Sequence, residues 1–100
     1  MKINFDSKLM GLDGKALVFI EGDTRRDMLL KDAAVEALML QLVHENSSGE
    51  EKLRRYELAR KIYDGGELDL TPEDVSLIKQ RIGAGYSVAV VGSAFTLLNG

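Results

Sequence analysis

Two helix starts, at Ser48 and Thr71, frame a double glycine, and this arrangement restricts the chain more than any other feature of its sequence. Ser48-Gly49-Glu50-Glu51 has the form of a capping box, in which the Ser48 hydroxyl accepts from the Glu51 amide and the Glu51 carboxylate reaches back to the Ser48 amide. A helix is predicted from there. Leu53, Tyr56, Ala59, Ile62 and Tyr63, with Leu58 at the margin, recur at three-and-four spacing and predict the face turned to a core. Gly65-Gly66 closes that helix, because glycine takes the left-handed conformation without a Cβ clash. Glu67-Leu68-Asp69-Leu70 alternates as a short extended piece. Thr71-Pro72-Glu73-Asp74 then opens a second helix, with Thr71 as cap, proline at the first helical position and acids against the positive end of the dipole. Val75, Ile78 and Ile82 form its buried stripe, with Leu77 beside it, and Gly83 is read as its end.

The segment before these caps carries the extended residues. Ile3-Asn4-Phe5 alternates, and Ala16-Leu17-Val18-Phe19-Ile20 is rich in types that suit a pleated surface. Leu12-Asp13-Gly14-Lys15 between them holds the Asp-Gly pair of a tight turn, so the simplest expectation is an antiparallel hairpin joining the two. A lone ribbon is marginal in water and must lie on the helices or add to a strand elsewhere, which makes it a candidate contact surface. Gly22 to Asp27 reads as a polar loop, in which Arg25 and Arg26 are ion partners of Asp23 and Asp27 or, less simply, phosphate ligands. From Leu30 a helical stripe of Ala34, Val35, Leu38, Met39, Leu42 and Val43 follows, and His44 is placed at its end, where an imidazolium meets the negative pole of the dipole.

Tyr86-Ser87-Val88-Ala89-Val90-Val91 has the valines of a buried strand, but Val88, Val91, Ala94, Phe95 and Leu98 keep helical spacing and Ser87 suits a cap. The prediction is a helix, apolar nearly all round. Such a helix is central in a fold or covered by another chain. The fold class expected is therefore α+β, mainly α: an N-terminal β-hairpin, about four helices and a short extended segment near 67–70, in a single domain over residues 1–100.

Composition excludes several functions. With no cysteine there is no disulfide framework or thiolate site, and no apolar run approaches the roughly 20 residues that span a bilayer. The N-terminus has no signal-peptide core, so a cytoplasmic protein is expected. The net charge of −3 is split unevenly, with nine acids against six bases up to Glu50 and seven against seven beyond it. A nucleic-acid binder carries a basic surplus, and neither half has one. On the first capped helix, Glu50, Glu51 and Glu57 stand four residues before Arg54, Arg55 and Lys61, the favourable order for helical ion pairs.

No motif supplies chemistry. Gly83-Ala84-Gly85 follows a helix where a dinucleotide fingerprint needs a strand, and is read as a helix-to-helix turn. Asp64 to Val75 fails as a calcium loop at its third, fifth, glycine and terminal glutamate positions. His44, the single histidine, has no second ligand or orienting carboxylate near it. No enzyme activity, cofactor or metal is expected.

Ser48-Gly49-Glu50-Glu51-Lys52-Leu53 through Tyr56, Leu70-Thr71-Pro72-Glu73-Asp74-Val75 with Ile78-Lys79, and Val90-Val91-Gly92 before Phe95 resemble a group of small proteins of tailed bacteriophages and prophages. The resemblance covers the second half of the chain and implies a non-enzymatic role in phage assembly or on a host protein. From the residues themselves, the leading expectation is a small protein-interaction module that self-associates as a homo-oligomer. Its contact residues would be Phe19 on the ribbon, Val90, Phe95 and Leu97 on the last helix, and Arg54 and Arg55. The alternative is a nucleic-acid-associated regulator using the basic residues of helix 49–64, Arg54, Arg55, Arg60 and Lys61.

Overall fold

The computed structural model describes residues 1–99. Its organising element is α1 (Leu30–Met39), against which α2 (Gly49–Ile62), α3 (Pro72–Gly85) and α4 (Val88–Leu98) all pack. Small residues make that possible. Ala33, Ala34 and Ala37 are buried on α1, and short side chains at a contact let helix axes approach closely. Leu30 and Leu38 fill the spaces between, with Phe5, Leu9, Ile62, Ile78, Ile82 and Leu98 as the other large fully buried side chains. Each such burial stabilises the fold by roughly 1.5–3 kcal/mol.

The architecture is α+β and mainly α, with two antiparallel strand pairs beside the helices. The strands pair differently from the expected hairpin. β1 (Lys2–Asn4) joins β4 (Glu67–Asp69), in the register Lys2 to Asp69, Ile3 to Leu68 and Asn4 to Glu67. Its end is tied by the N-terminal amine, which donates to the Asp69 carboxylate at 2.9 Å and the Leu70 carbonyl at 2.8 Å. β2 (Val18–Glu21) turns at Gly22, with φ +60°, and pairs with β3 (Thr24–Asp27), where the sequence pattern suggests a polar loop. The Asp13-Gly14 turn does reverse the chain, but it joins Met10 to Ala16 through a single bridge. Leu9, Met28 and Leu17 then close a ring of backbone hydrogen bonds, in which the Leu9 amide donates to the Met28 carbonyl, Met28 to Leu17 and Leu17 back to Leu9, at 2.7 to 2.9 Å. A strand of three residues finds its partner through burial of Ile3 and Phe5, which local turn chemistry does not encode.

Helix boundaries follow the caps. Ser48 accepts from the Glu51 amide at 3.1 Å, one of the two bonds expected, while Thr71 and Asp74 form both of theirs. α4 is helical as predicted, with Ser87 at its cap position but making no side-chain bond. Two ends move. α1 stops at Met39, because Leu40 adopts an extended conformation; Val43 is exposed and His44 lies beyond the helix with φ +67°, so the dipole explanation for His44 does not apply. α3 runs through Gly83 to Gly85, and Tyr86 is its cap. A Cβ at Gly83 would meet Phe95 and one at Gly85 would meet Leu40 at 3.1 Å, so these glycines are packing positions within a helix rather than a turn.

Gly65 and Gly66 both take positive φ, 74° and 80°, and the Gly66 carbonyl accepts from Phe5 at 2.8 Å. Their surroundings differ. A Cβ on Gly65 would fall on the Asp6 carboxylate and against Lys31, whereas one on Gly66 meets nothing. Gly66→Ala is expected to lower stability by about 1 kcal/mol, the strain of a left-handed alanine. Gly65→Ala should lower it further, and adding Asp6→Ala should return it toward the Gly66→Ala value; equal losses for both single variants in urea unfolding would contradict this packing.

Candidate functional site

The buried face of α2 keeps Leu58, Ala59 and Ile62 of the one its apolar spacing suggests but is turned away from the rest of it. Arg55, Leu58, Ala59 and Ile62 face inward, while Leu53, Tyr56 and Tyr63 are 55%, 48% and 69% exposed. The reason lies in one carboxylate. Glu45, in the segment linking α1 to α2, accepts from Arg55 Nη1 at 2.7 Å and from Arg81 Nη1 and Nη2 at 2.6 and 3.1 Å. Ser47 Oγ and the Leu42 amide donate to it as well, at 2.8 and 2.9 Å. Arg81 extends further, giving Nη2 to the Leu40 carbonyl at 2.6 Å and Nε to the Ala37 carbonyl at 3.3 Å. It thereby satisfies carbonyls at the end of α1 that a helix leaves free. The three charged side chains are all close to nine-tenths buried.

Two cations about one anion need additional negative potential, and the carboxyl end of α1 supplies it. The Arg81 hydrogen bonds, followed by the Leu42 amide, hold the Glu45 carboxyl down at about 2 from an ordinary 4.5. With Arg55 anchored inward, its neighbour Tyr56 is turned by about 100° around the helix. Arg55 thus pairs with Glu45 and not with Glu51 as the helical spacing suggested.

The aromatic face so displaced lies beside α1. Lys31 Cδ sits 3.0 Å from where a Gly65 Cβ would be, which puts the start of α1 next to the end of α2 and makes the two helices antiparallel. Between them runs a groove of about 430 Å³ lined by Val35, Met39, Tyr56, Ala59, Arg60, Tyr63 and Asp64. Met39 is 56% exposed within it. Over Val35 and Met39 it continues into a second hollow of about 450 Å³, whose far wall is Phe19, Arg26, Asp32 and Glu36.

That wall is rigid. Arg26 lies 4.8 Å over the Phe19 ring and grips Asp32 with two bonds of 2.7 and 2.8 Å, while Glu21 accepts a third at 3.1 Å. Asp32 also accepts from the Leu29 amide at 2.8 Å, fastening the start of α1 to the β2–β3 ribbon. Burial alone would raise the Asp32 carboxyl; the Arg26 and Leu29 bonds hold it below its ordinary value. Arg26 therefore has Asp32 and Glu21 as its ion partners rather than Asp23 and Asp27, and Asp27 gives it only a main-chain carbonyl, at 3.3 Å.

Of the residues expected to make contacts, the structure places Phe19 on the groove wall, half-buried under Arg26. Val90, Phe95 and Leu97 are half-buried on α4, packed against the core and away from the groove. Arg54 is exposed, on a cleft between α2 and α3 with Leu77 and Gln80. Arg55 is taken up by Glu45, and Arg60 lines the apolar groove, so the basic residues of α2 do not share one face. Apolar spacing puts Met39 on a core stripe and makes Tyr56 and Tyr63 core or interface residues; their exposure together along one groove is what it does not reveal. The signal was Arg55 itself, in step with Leu58 and Ile62, but it is legible only once Glu45 is known to meet it.

Among the described residues, no cluster of three or more His, Asp or Glu is placed to hold a metal ion, and no helix is long and apolar enough to cross a membrane. Compared with known proteins, the chain matches no family model, no curated protein and no solved structure.

Removing Arg81 would leave Glu45 with Arg55 as its one cation and leave the Ala37 and Leu40 carbonyls without their guanidinium donor, so Arg81→Ala is expected to lower the unfolding free energy by about 3 kcal/mol in urea titration. Folding lowers the Glu45 pKa, so its ionised form is the one the fold favours. The stability gap between wild type and Glu45→Gln should be full above about pH 4.5 and close as the pH falls through about 2. A gap independent of pH across that window would contradict the ion cluster.

Proposed function

We propose that this chain is a non-enzymatic protein-interaction module, self-associating and acting in the cytoplasm, in phage assembly or on a host protein, with the α1–α2 groove as its contact surface. The observation that carries the reading is the exposure of Met39, Tyr56 and Tyr63 along one continuous channel. Methionine and tyrosine are enriched at the centres of protein interfaces, where a flat ring or a pliable thioether contributes large contact area at small entropic loss. The polar groups around the groove and the hollow it opens into, Lys31, Arg60, Glu36 and Asp64, form the kind of rim that such a centre has. The phage setting is supported by the resemblance of the capped helices.

Met39→Glu with Tyr63→Glu tests the reading, since both side chains are exposed and the fold should be retained by circular dichroism. Quantitative capture with tagged protein should recover an interacting protein, further copies of the chain included, about tenfold less well with this variant. Equal recovery by wild type and variant would overturn the assignment of the groove.

A further inference from the structure

We infer that the groove is closed by a second copy of this chain, related to the first by a two-fold axis running along the groove; this rests on the reading of the groove as a protein-binding surface. Four charged side chains stand around it and the hollow it opens into: Lys31 and Glu36 on α1, which line the hollow, Arg60 on α2, which lines the groove, and Asp64 just after α2, which lines both. None of the four makes an ion pair within its own chain among the described residues. Their heights match in pairs. Lys31 and Asp64 share one end, because the Lys31 side chain lies against Gly65. Glu36 is five residues along α1 from there and Arg60 four residues back along α2, rises of about 7.5 and 6 Å in the same direction.

A rotation about an axis along the groove keeps each residue's height and exchanges the two sides. α1 of one molecule then lies over α2 of the other. Lys31 meets the partner's Asp64 and Glu36 meets the partner's Arg60, and each pairing occurs twice. At the other end Met39 meets the partner's Tyr56, a thioether against an aromatic ring. The alternative axis, across the groove, reverses height and sets Lys31 on the partner's Met39, burying an ammonium against an apolar group. Charge complementarity therefore selects both the occupant and the orientation, as an isologous contact requires.

Sedimentation equilibrium on the full chain tests this. Wild type should dimerise, more weakly as salt rises. Glu36→Arg and Arg60→Glu should each weaken the dimer about tenfold, by setting like charges face to face twice. The double variant Glu36→Arg with Arg60→Glu should restore it, because the exchanged charges again meet opposites; circular dichroism confirms that all variants are folded. A wild type that stays monomeric into the millimolar range, or a double variant no better than the singles, would overturn the inference. If a different protein were still captured through Met39 and Tyr63 in that case, the groove would remain a binding surface and only its second-copy occupant would fall.

Discussion

The arrangement of the first three helices depends on Glu45. Its carboxylate joins an arginine from α2 to one from α3, and the second of these also caps α1. Buried ion pairs often contribute little net stability compared with an apolar replacement, since two charges must leave water. Here the carboxylate accepts five hydrogen bonds and Arg81 donates to two main-chain carbonyls in addition, so most of the desolvated polar groups are answered. Such a cluster is directional where hydrophobic burial is not. It dictates which way α2 is turned.

That rotation has a consequence for the surface. A helix with Leu53, Tyr56 and Tyr63 along one side would, on hydrophobicity alone, bury them. Anchoring Arg55 inward presents Leu58 and Ile62 to the core and leaves the tyrosines beside α1, where Met39 is also uncovered. The Arg26–Asp32 clamp fixes the opposite wall of the same channel. The groove is thus held on both sides by ion pairs whose members are far apart in the chain or on different elements, and its apolar floor follows from where those pairs put the helices.

What the sequence made legible was local. Thr71-Pro72-Glu73-Asp74 and Ser48 to Glu51 mark helix starts with side chains that bond to amides three residues away, and the helices begin there. Helical spacing in Val88 to Leu98 outweighed the strand preference of valine, and α4 is a helix. Hidden from that reading were the features decided by distance. β1 pairs with β4 more than sixty residues on, and nothing near Ile3 names Leu68 as its neighbour. Gly83 and Gly85 looked like a turn, but the closeness of Phe95 and Leu40 gives them a place inside α3. Arg55 looked like a surface residue paired with Glu51, since a buried arginine is recognisable only through the acceptor that receives it.

If a single carboxylate sets the rotation of α2, it must be ionised well below the range where surface glutamates take up a proton. Carbon-detected magnetic resonance of the Glu45 side-chain carboxyl during acid titration measures this directly. The account predicts that the folded protein keeps Glu45 ionised until the pH reaches about 2 or the fold is lost. A midpoint near the ordinary 4.5 in protein that is still folded would contradict it.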